Sequence, residues 1–432
     1  MFAQLGLIDP LLTALGALGY KTPTPIQVQA IPAVLAGRDL MAAAQTGTGK
    51  TAGFALPLLQ RLALDEVPVA SNSVRSLVLV PTRELAEQVN ASFLEYGKHL
   101  PLRSYAVYGG VSINPQMMKL RKGLDVLVAT PGRLLDLYRQ NAVKFNQVQT
   151  LVLDEADRML DLGFSRELNA VFAAIPKRRQ TLLFSATFSD EIRAMAKTLL
   201  SDPLGIEISP RNSTVKSVKQ WVVPVDKKLK PELFCHLLKD RKWGQVLVFV
   251  RTRKGVDQLV ETLLAMRVSA DSIHGDKPQA SRLKALERFK TGEVQILVAT
   301  DVAARGLDID DLPHVVNYDL PQVPEDYIHR IGRTGRAGAL GAAISLVSPE
   351  ESSQLAEIEK LLKRKLPRIA DTGYEPVSLN VIDAPKKKAP NKETGKKDFR
   401  HTKKPTEKKG YVARNQAPGA KPKTQGSRSR SR

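Results

Sequence analysis

The sequence predicts an α/β protein built from two tandem parallel-sheet domains and a disordered basic tail. Three observations carry that expectation. Short continuous apolar runs, such as Leu151-Val152-Leu153, have the pattern of strands buried on both faces of a parallel sheet. The pattern also repeats. The strands ending before Thr82-Arg83 and Thr252-Arg253 are each followed, 47 residues after the arginine, by a second strand ending in Thr130 or Thr300. Equal spacing between matching strand ends indicates two copies of one unit in which strands alternate with helices. Finally, residues 385–432 hold 17 Lys/Arg against 3 Asp/Glu and only Phe399 and Tyr411 as aromatics, too little apolar surface to offset the cost of ordering.

These features divide the chain into a first domain over 1–208, a hydrophilic linker over 209–216, a second domain over 217–370 and a tail over 371–432. At 432 residues and 43% hydrophobic composition, two or three domains with sizeable cores are expected.

Within the first domain, Ala44-Gln45-Thr46-Gly47-Thr48-Gly49-Lys50-Thr51 lies between a short apolar strand and the start of a helix. Gly47 and Gly49 allow a tight turn that aims successive backbone N–H groups at phosphate oxygens, and the helix N-terminus adds a favourable dipole. Lys50 is placed to reach β- and γ-phosphates, and the Thr51 hydroxyl to ligate Mg²⁺. The usual phosphate-loop pattern begins with glycine, and Ala44 occupies that place.

About a hundred residues later, Leu151-Val152-Leu153 runs into Asp154-Glu155-Ala156-Asp157. Acidic residues at the carboxyl end of a parallel strand sit where open α/β sheets bind ligands. Asp154 suits the Mg²⁺ shell, directly or through water, and Glu155 suits orienting or deprotonating an attacking water. Together the two segments predict a nucleoside-triphosphate hydrolysis site.

The remaining composition excludes several classes. No apolar run approaches the ~18 residues of a membrane span. Met1-Phe2-Ala3-Gln4 lacks the basic and apolar segments of a signal peptide, which with the single Cys235 leads us to expect a reducing, cytoplasmic setting. Cys235, flanked by Phe234 and Leu237-Leu238, reads as a packed core thiol, and the six histidines show no metal-ligand spacing. Of the net +21 charge, +14 lies in residues 385–432 and +7 in the rest, so the tail reads as an electrostatic arm for a nucleic-acid backbone or as a solubilising segment.

The second copy has no Gly-Lys-Thr and offers arginine instead. His329-Arg330-Ile331-Gly332-Arg333-Thr334-Gly335-Arg336 reads as a glycine-interrupted basic loop. Arginine delivered across a cleft stabilises charge on a transferring γ-phosphate. A site divided between two domains links hydrolysis to their closure.

Taken in order, these blocks resemble the DEAD-box RNA helicases, an ATP-dependent family of two RecA-like domains, over roughly residues 2–370. The resemblance implies ATP and Mg²⁺ as ligands. Phe2, Tyr20 and Thr24-Pro25-Ile26-Gln27 are similar to the family's adenine-recognition motif, with Tyr20 stacking on adenine and Gln27 reading its edge, and Ala44 is what the family usually shows at that position. Ser185-Ala186-Thr187, with Asp157 and His329, resembles the segments that couple hydrolysis to the RNA-bound state. Pro81-Thr82-Arg83-Glu84-Leu85-Ala86, Gly109-Gly110 and Thr130-Pro131-Gly132-Arg133 match RNA-backbone contacts of the first domain. Arg251-Thr252-Arg253, His274-Gly275, Gln279, Arg282, Thr300-Asp301 and Arg305-Gly306 match contacts of the second. Asp308 corresponds to a ribose contact, and Arg333 and Arg336 to the arginine fingers.

Within the family, Val111–Met118 and the basic tail are most similar to the bacterial RhlE-type branch, which implies ribosome precursors or RNA-decay machinery as partners. The implied activity is local, largely sequence-independent strand separation by a monomer. Thr, Arg and Gly at strand ends are suited to phosphate and sugar and carry no base code, and no RRM, KH or zinc module is evident. An RNA annealer or clamp that uses hydrolysis as a timer, and a DNA helicase, are the alternative readings.

Overall fold

A computed structural model of the chain describes residues 1–44, 48–65, 67–186, 188–207, 218–304, 309, 312–335, 341–369 and 374. All belong to the first of two units, Met1–Ala384 and Pro385–Arg432. The expected linker over 209–216 and the tail, Tyr374 aside, lie outside the described residues.

Two parallel sheets organise the unit. The first holds β1 (Leu40–Ala43), β2 (Val74–Leu79), β3 (Ser104–Val107), β4 (Leu124–Ala129), β5 (Thr150–Leu153), β6 (Gln180–Ser185) and β7 (Leu204–Glu207) in the order β3-β4-β2-β5-β6-β1-β7. The second holds β8 (Val218–Pro224), β9 (Val246–Phe249), β10 (Ala270–Ile273), β11 (Ile296–Ala299), β12 (His314–Asn317) and β13 (Gly341–Val347) in the order β10-β11-β9-β12-β13-β8. Matched strand for strand, the second order is the first without its edge strand β7. The duplication inferred from spacing is therefore a duplication of topology, and it extends to single hydrogen bonds. Val80 donates to the Ala129 carbonyl and Val250 to that of Ala299, both at 3.0 Å, while Thr130 donates to Val107 and Thr300 to Ile273.

Each central strand is apolar on both sides because helices cover both faces. In the first lobe Val78, Val128, Val152, Leu182 and Phe184 pack on α1 (Asp9–Ala17), α2 (Pro25–Leu35), α3 (Lys50–Leu64) and α4 (Arg83–Tyr96). Alternating residues Leu77, Leu79, Leu127, Leu151 and Leu183 meet α5 (Ile113–Leu120), α6 (Pro131–Arg139), α7 (Ala156–Asp161), α8 (Ser165–Ala174) and α9 (Asp190–Leu199). Phe184 lies 5.2 Å from Phe54, centroid to centroid, and truncating such a buried ring costs about 3–5 kcal/mol.

The second lobe repeats the layering. Val246, Val248, Ile296 and Val298 pack with α10 (Lys230–Asp240) and α11 (Arg253–Ala265). Leu247, Phe249 and Leu297 pack with α12 (Gln279–Lys290) and α13 (Asp301–Ala304). Val222, Ala343 and Val347 pack with α14 (Pro324–Ile331) and α15 (Ser352–Leu362). Cys235 is buried on α10, and burial pushes its thiol pKa up, in keeping with a core role. Among the described residues no helix is long and apolar enough to cross a membrane.

Candidate functional site

Strand order sorts the candidate residues into two neighbouring groups. The triphosphate candidates follow the adjacent strands β5, β6 and β1, which end before Asp154, in Ser185 and before Ala44. The backbone-contact candidates follow the adjacent strands β3, β4 and β2, before Gly109-Gly110, Thr130 and Thr82-Arg83. Both groups lie at the carboxyl ends of parallel strands, where crevices form in open α/β sheets.

On the triphosphate side, Lys50 opens α3 behind Gly49, whose φ of 86° suits glycine. Lys50 Nζ and Asp154 Oδ1 are buried 4.0 Å apart, and neither atom has a hydrogen-bond partner among the described residues. Buried charges left unbonded are costly unless a ligand completes them. The pair suits a phosphate oxygen at Nζ and a divalent cation at Oδ1, with partly buried Thr51 one residue along the helix. Among the described residues no group of three or more His, Cys, Asp or Glu is placed to hold a metal ion by itself.

Glu155 caps α7 in the left-handed region, at φ 56° and ψ 52°, an uncommon conformation for a non-glycine residue that concentrates at functional sites. Burial pushes the pKa of both Asp154 and Glu155 up, and Lys50 opposes it in each. A buried carboxylate with a raised pKa is a stronger proton acceptor than one in water.

The second lobe reaches this centre. Arg333 adds to Lys50 a smaller electrostatic pull against the burial that raises the Glu155 pKa. His329 is pushed down mainly by burial, with Asp157 opposing and Arg333 and Lys50 adding to the depression. Asp157 in turn accepts the Ala186 N–H at 3.1 Å, joining the acidic turn to the end of β6, where Ser185 is fully buried. The basic segment, expected from its glycines to be a loop, is partly helical. His329, Arg330 and Ile331 form the last turn of α14 because Pro324 and the apolar Tyr327 and Ile331 seat that helix on the core. Arg330 is buried there and holds Asp301 through two 2.6 Å bonds, so the Asp301 carboxylate anchors the turn that carries His329 and Arg333.

The adenine-motif residues lie beside the loop. Tyr20 is 39% exposed, with edge-on contacts to Phe2 and Tyr96 and a 3.0 Å hydroxyl bond to Tyr96, so its ring can take a stacked base. Gln27, expected to read the base edge, stands against the phosphate loop. Its amide donates to the Gly49 carbonyl at 3.1 Å and accepts the Thr24 N–H at 2.9 Å, tying α2 to the phosphate loop and leaving one N–H and one lone pair.

The backbone-contact candidates recur in pairs across the lobes. Thr82 and Thr252 cap α4 and α11 with their hydroxyls, so Pro81 and Arg251 precede matching helix N-termini. The Arg83 guanidinium lies where a Gly110 side chain would stand, and the Arg253 guanidinium lies beside Gly275 at ordinary contact distance. Gly109 has open space around it, as does Gly132 beside Pro131 on α6. Other expected contacts already have protein partners. Arg133 donates to the Val111 carbonyl, Arg251 to Glu351, and Arg253 to Asp276. His274 pairs with Asp257 at 2.9 Å. Gln279 is buried with no amide partner among the described residues, and Arg282 pairs with Glu84 of the first lobe. Gln45, Thr46, Gly47, Thr187, Arg305, Gly306, Asp308 and Arg336 lie outside the described residues.

Sequence reasoning missed the Gln27–Gly49, Glu84–Arg282 and Arg330–Asp301 links. Each residue stood inside a quoted block, but no local signal names a partner far along the chain.

Comparisons with known proteins agree with this geometry. Residues 24–195 match the family described as DEAD/DEAH box helicase, and residues 229–338 match the helicase conserved C-terminal domain. The chain is 45% identical to the DEAD-box ATP-dependent RNA helicase CshA of Bacillus cereus, over 85% of this chain and 69% of that protein. It is 40% identical to CshA of Bacillus subtilis, over 86% and 74%. S. cerevisiae Dbp5 bound to RNA and ADP BeF3 matches with a TM-score of 0.75 at 32% identity, covering 85% of this chain and 95% of that one.

Proposed function

Because this chain belongs to the DEAD-box family of ATP-dependent RNA helicases, we propose that it separates RNA strands locally by closing its two lobes on ATP and RNA. The observation that carries this reading is the buried, unbonded Lys50–Asp154 pair beside Glu155 in one lobe, joined to the other lobe by the Glu84–Arg282 ion pair.

Backbone N–H groups at the start of α3 and the Lys50 ammonium hold the β- and γ-phosphates, and Tyr20 stacks on the base. Thr51 and Asp154 would hold a Mg²⁺ ion, which neutralises phosphate charge when bound. Glu155 orients the attacking water and accepts its proton, with a basicity raised by burial. Arg333, with Arg336, stabilises charge on the transferring phosphoryl group, so hydrolysis requires the closed lobes. Asp157 reports the state of the acidic turn to Ala186 and His329.

RNA binds across the strand ends at Thr82, Arg83, Gly109, Gly110 and Thr130 and at Thr252, Arg253, Gly275 and Thr300, through phosphate and sugar. The basic tail adds sequence-blind attraction. We place the protein in the cytoplasm, acting on ribosome precursors or RNA bound for decay. Residues 111–118 and the tail favour an RhlE-like member, although both relatives described above carry the name CshA.

The test is steady-state ATP hydrolysis with RNA, with DNA and with neither. Strong stimulation by RNA alone, lost in Glu155→Gln, is expected. Equal stimulation by DNA, or turnover that survives Glu155→Gln, would overturn the proposal.

A further inference from the structure

Away from the cleft, the first lobe carries a groove that neither the hydrolysis site nor the strand-end contacts use. It has a volume of about 630 Å³ and lies between the end of α6, the end of α8 and the segment Asn141–Asn146 that leads into β5. That is the amino end of the sheet, opposite the carboxyl ends that bear Asp154 and Thr82.

Its floor is aromatic. Tyr138 is stacked on Phe145 with ring centroids 4.8 Å apart and planes 11° from parallel. Phe145 is 2% exposed and fixed in the core, whereas Tyr138 is 38% exposed and lines the groove. A partly exposed ring held flat by a buried one is suited to stack on a planar base. Exposed Arg139 and Lys144 flank it, and exposed Asn141 and Asn146 offer amide groups to a base edge, although the Asn146 Oδ1 already accepts from the Ser73 hydroxyl at 3.3 Å. None of the residues lining the groove is acidic, and exposed Lys177 and Arg178 follow its last lining residue, Pro176. The volume falls in the ~300–1,000 Å³ range of small-ligand sites, enough for a nucleotide.

We propose that this groove is a second binding site for single-stranded RNA, with Tyr138 stacking on a base and Arg139 and Lys144 holding its phosphates. The choice of RNA rests on the helicase function proposed above. An acidic polypeptide would satisfy the cations but would leave the flat ring without a matching planar group. The site lies outside the cleft, so it holds a flanking strand while the lobes open and close.

The test uses the full chain and a 20-nucleotide single-stranded RNA carrying 4-thiouridine, with cross-links mapped by mass spectrometry. Cross-links within residues 138–146, in addition to those in the cleft, are expected. Fluorescence anisotropy with the same RNA compares wild type with Tyr138→Leu and with Arg139→Glu/Lys144→Glu. Tyr138→Leu is expected to weaken binding about ten-fold, from the loss of one stacked base. The charge variant is expected to lower the salt slope by about 0.7 for each phosphate that is no longer neutralised. Both should keep the maximal ATPase rate with a six-nucleotide RNA that fills only the cleft. RNA-stimulated hydrolysis with no cross-link at 138–146 and unaltered affinity in both variants would overturn the inference and leave the proposed function standing. Cross-links at Tyr138 without any RNA stimulation would uphold the groove and sink the helicase reading. Binding of polyglutamate that depends on Arg139 and Lys144, with RNA binding unchanged in both variants, would assign the groove to an acidic polypeptide and overturn the RNA proposal.

Discussion

Arg282 on α12 and Glu84 on α4 form an ion pair at 2.9 Å, with side chains 7% and 4% exposed, and so join the two lobes through buried charge. Each residue had been expected only within an RNA-contact block. Burial lowers the Arg282 pKa and Glu84 opposes that shift, as expected of a desolvated pair.

Breaking a buried pair by removing one partner costs about 3–5 kcal/mol, because the other charge is left uncompensated. This pair spans the lobes, so the loss should fall on closure and not on the folding of either sheet. Arg282→Leu and Glu84→Leu are each expected to raise the RNA concentration for half-maximal ATPase by more than ten-fold. The double variant should be less impaired than the sum of the two, since it leaves no orphan charge. Additive effects in that cycle would argue against the pair as a closure contact.

Gly49→Ala should damage the phosphate loop in two ways. An L-residue at φ 86° costs about 1–2 kcal/mol, and the new Cβ would overlap the Gln27 amide. ATP affinity, followed with a fluorescent analogue, is expected to fall at least ten-fold. Gln27→Ala, which removes the link without backbone strain, should cost less. Equal losses would place the whole effect in the Gln27 contact.

The buried acidic pair predicts a pH dependence of stability. Both carboxyls have folded pKa values raised by burial above those of the unfolded chain. Their contribution to stability is therefore fully present below the unfolded carboxyl pKa of about 4 and is lost as pH rises through the folded values. Without nucleotide, Glu155→Gln and Asp154→Asn should melt higher than wild type at pH 8, with the gap narrowing toward pH 5. Melting curves across that range decide it, and a gap that widens in acid would contradict the burial argument.

Removing residues 385–432 removes a net charge of +14. The truncated protein should keep its maximal ATPase rate, because the described site lies within residues 1–335. Its RNA half-saturation should rise and its salt slope become shallower, by about 0.7 for each single-strand phosphate that the tail had neutralised. A collapse of the maximal rate would give the tail a part in chemistry.

The chemistry at strand ends was legible because it follows short-range rules. A Gly-Lys-Thr turn between strand and helix and carboxylates ending an apolar run declare themselves within a few positions, and the two Thr-Arg segments declare themselves by the same 47-residue spacing to a second Thr. The reading of residues 329–336 as one loop was less successful, because three of them complete α14. Helix packing on Tyr327 and Ile331 outweighed the glycine signal.

By itself, the sequence determined the two-copy α/β organisation, the phosphate loop and acidic turn, and the place of the basic charge, because periodicity, spacing and composition are local properties. Only the tertiary structure decided which strands are neighbours, and hence that Asp154, Ser185 and Ala44 meet on one side and Thr82, Gly110 and Thr130 on the other. It also decided that Gln27 holds Gly49, Arg330 holds Asp301 and Arg282 meets Glu84. A buried polar group takes the partner that packing brings to it, and that choice depends on the whole fold.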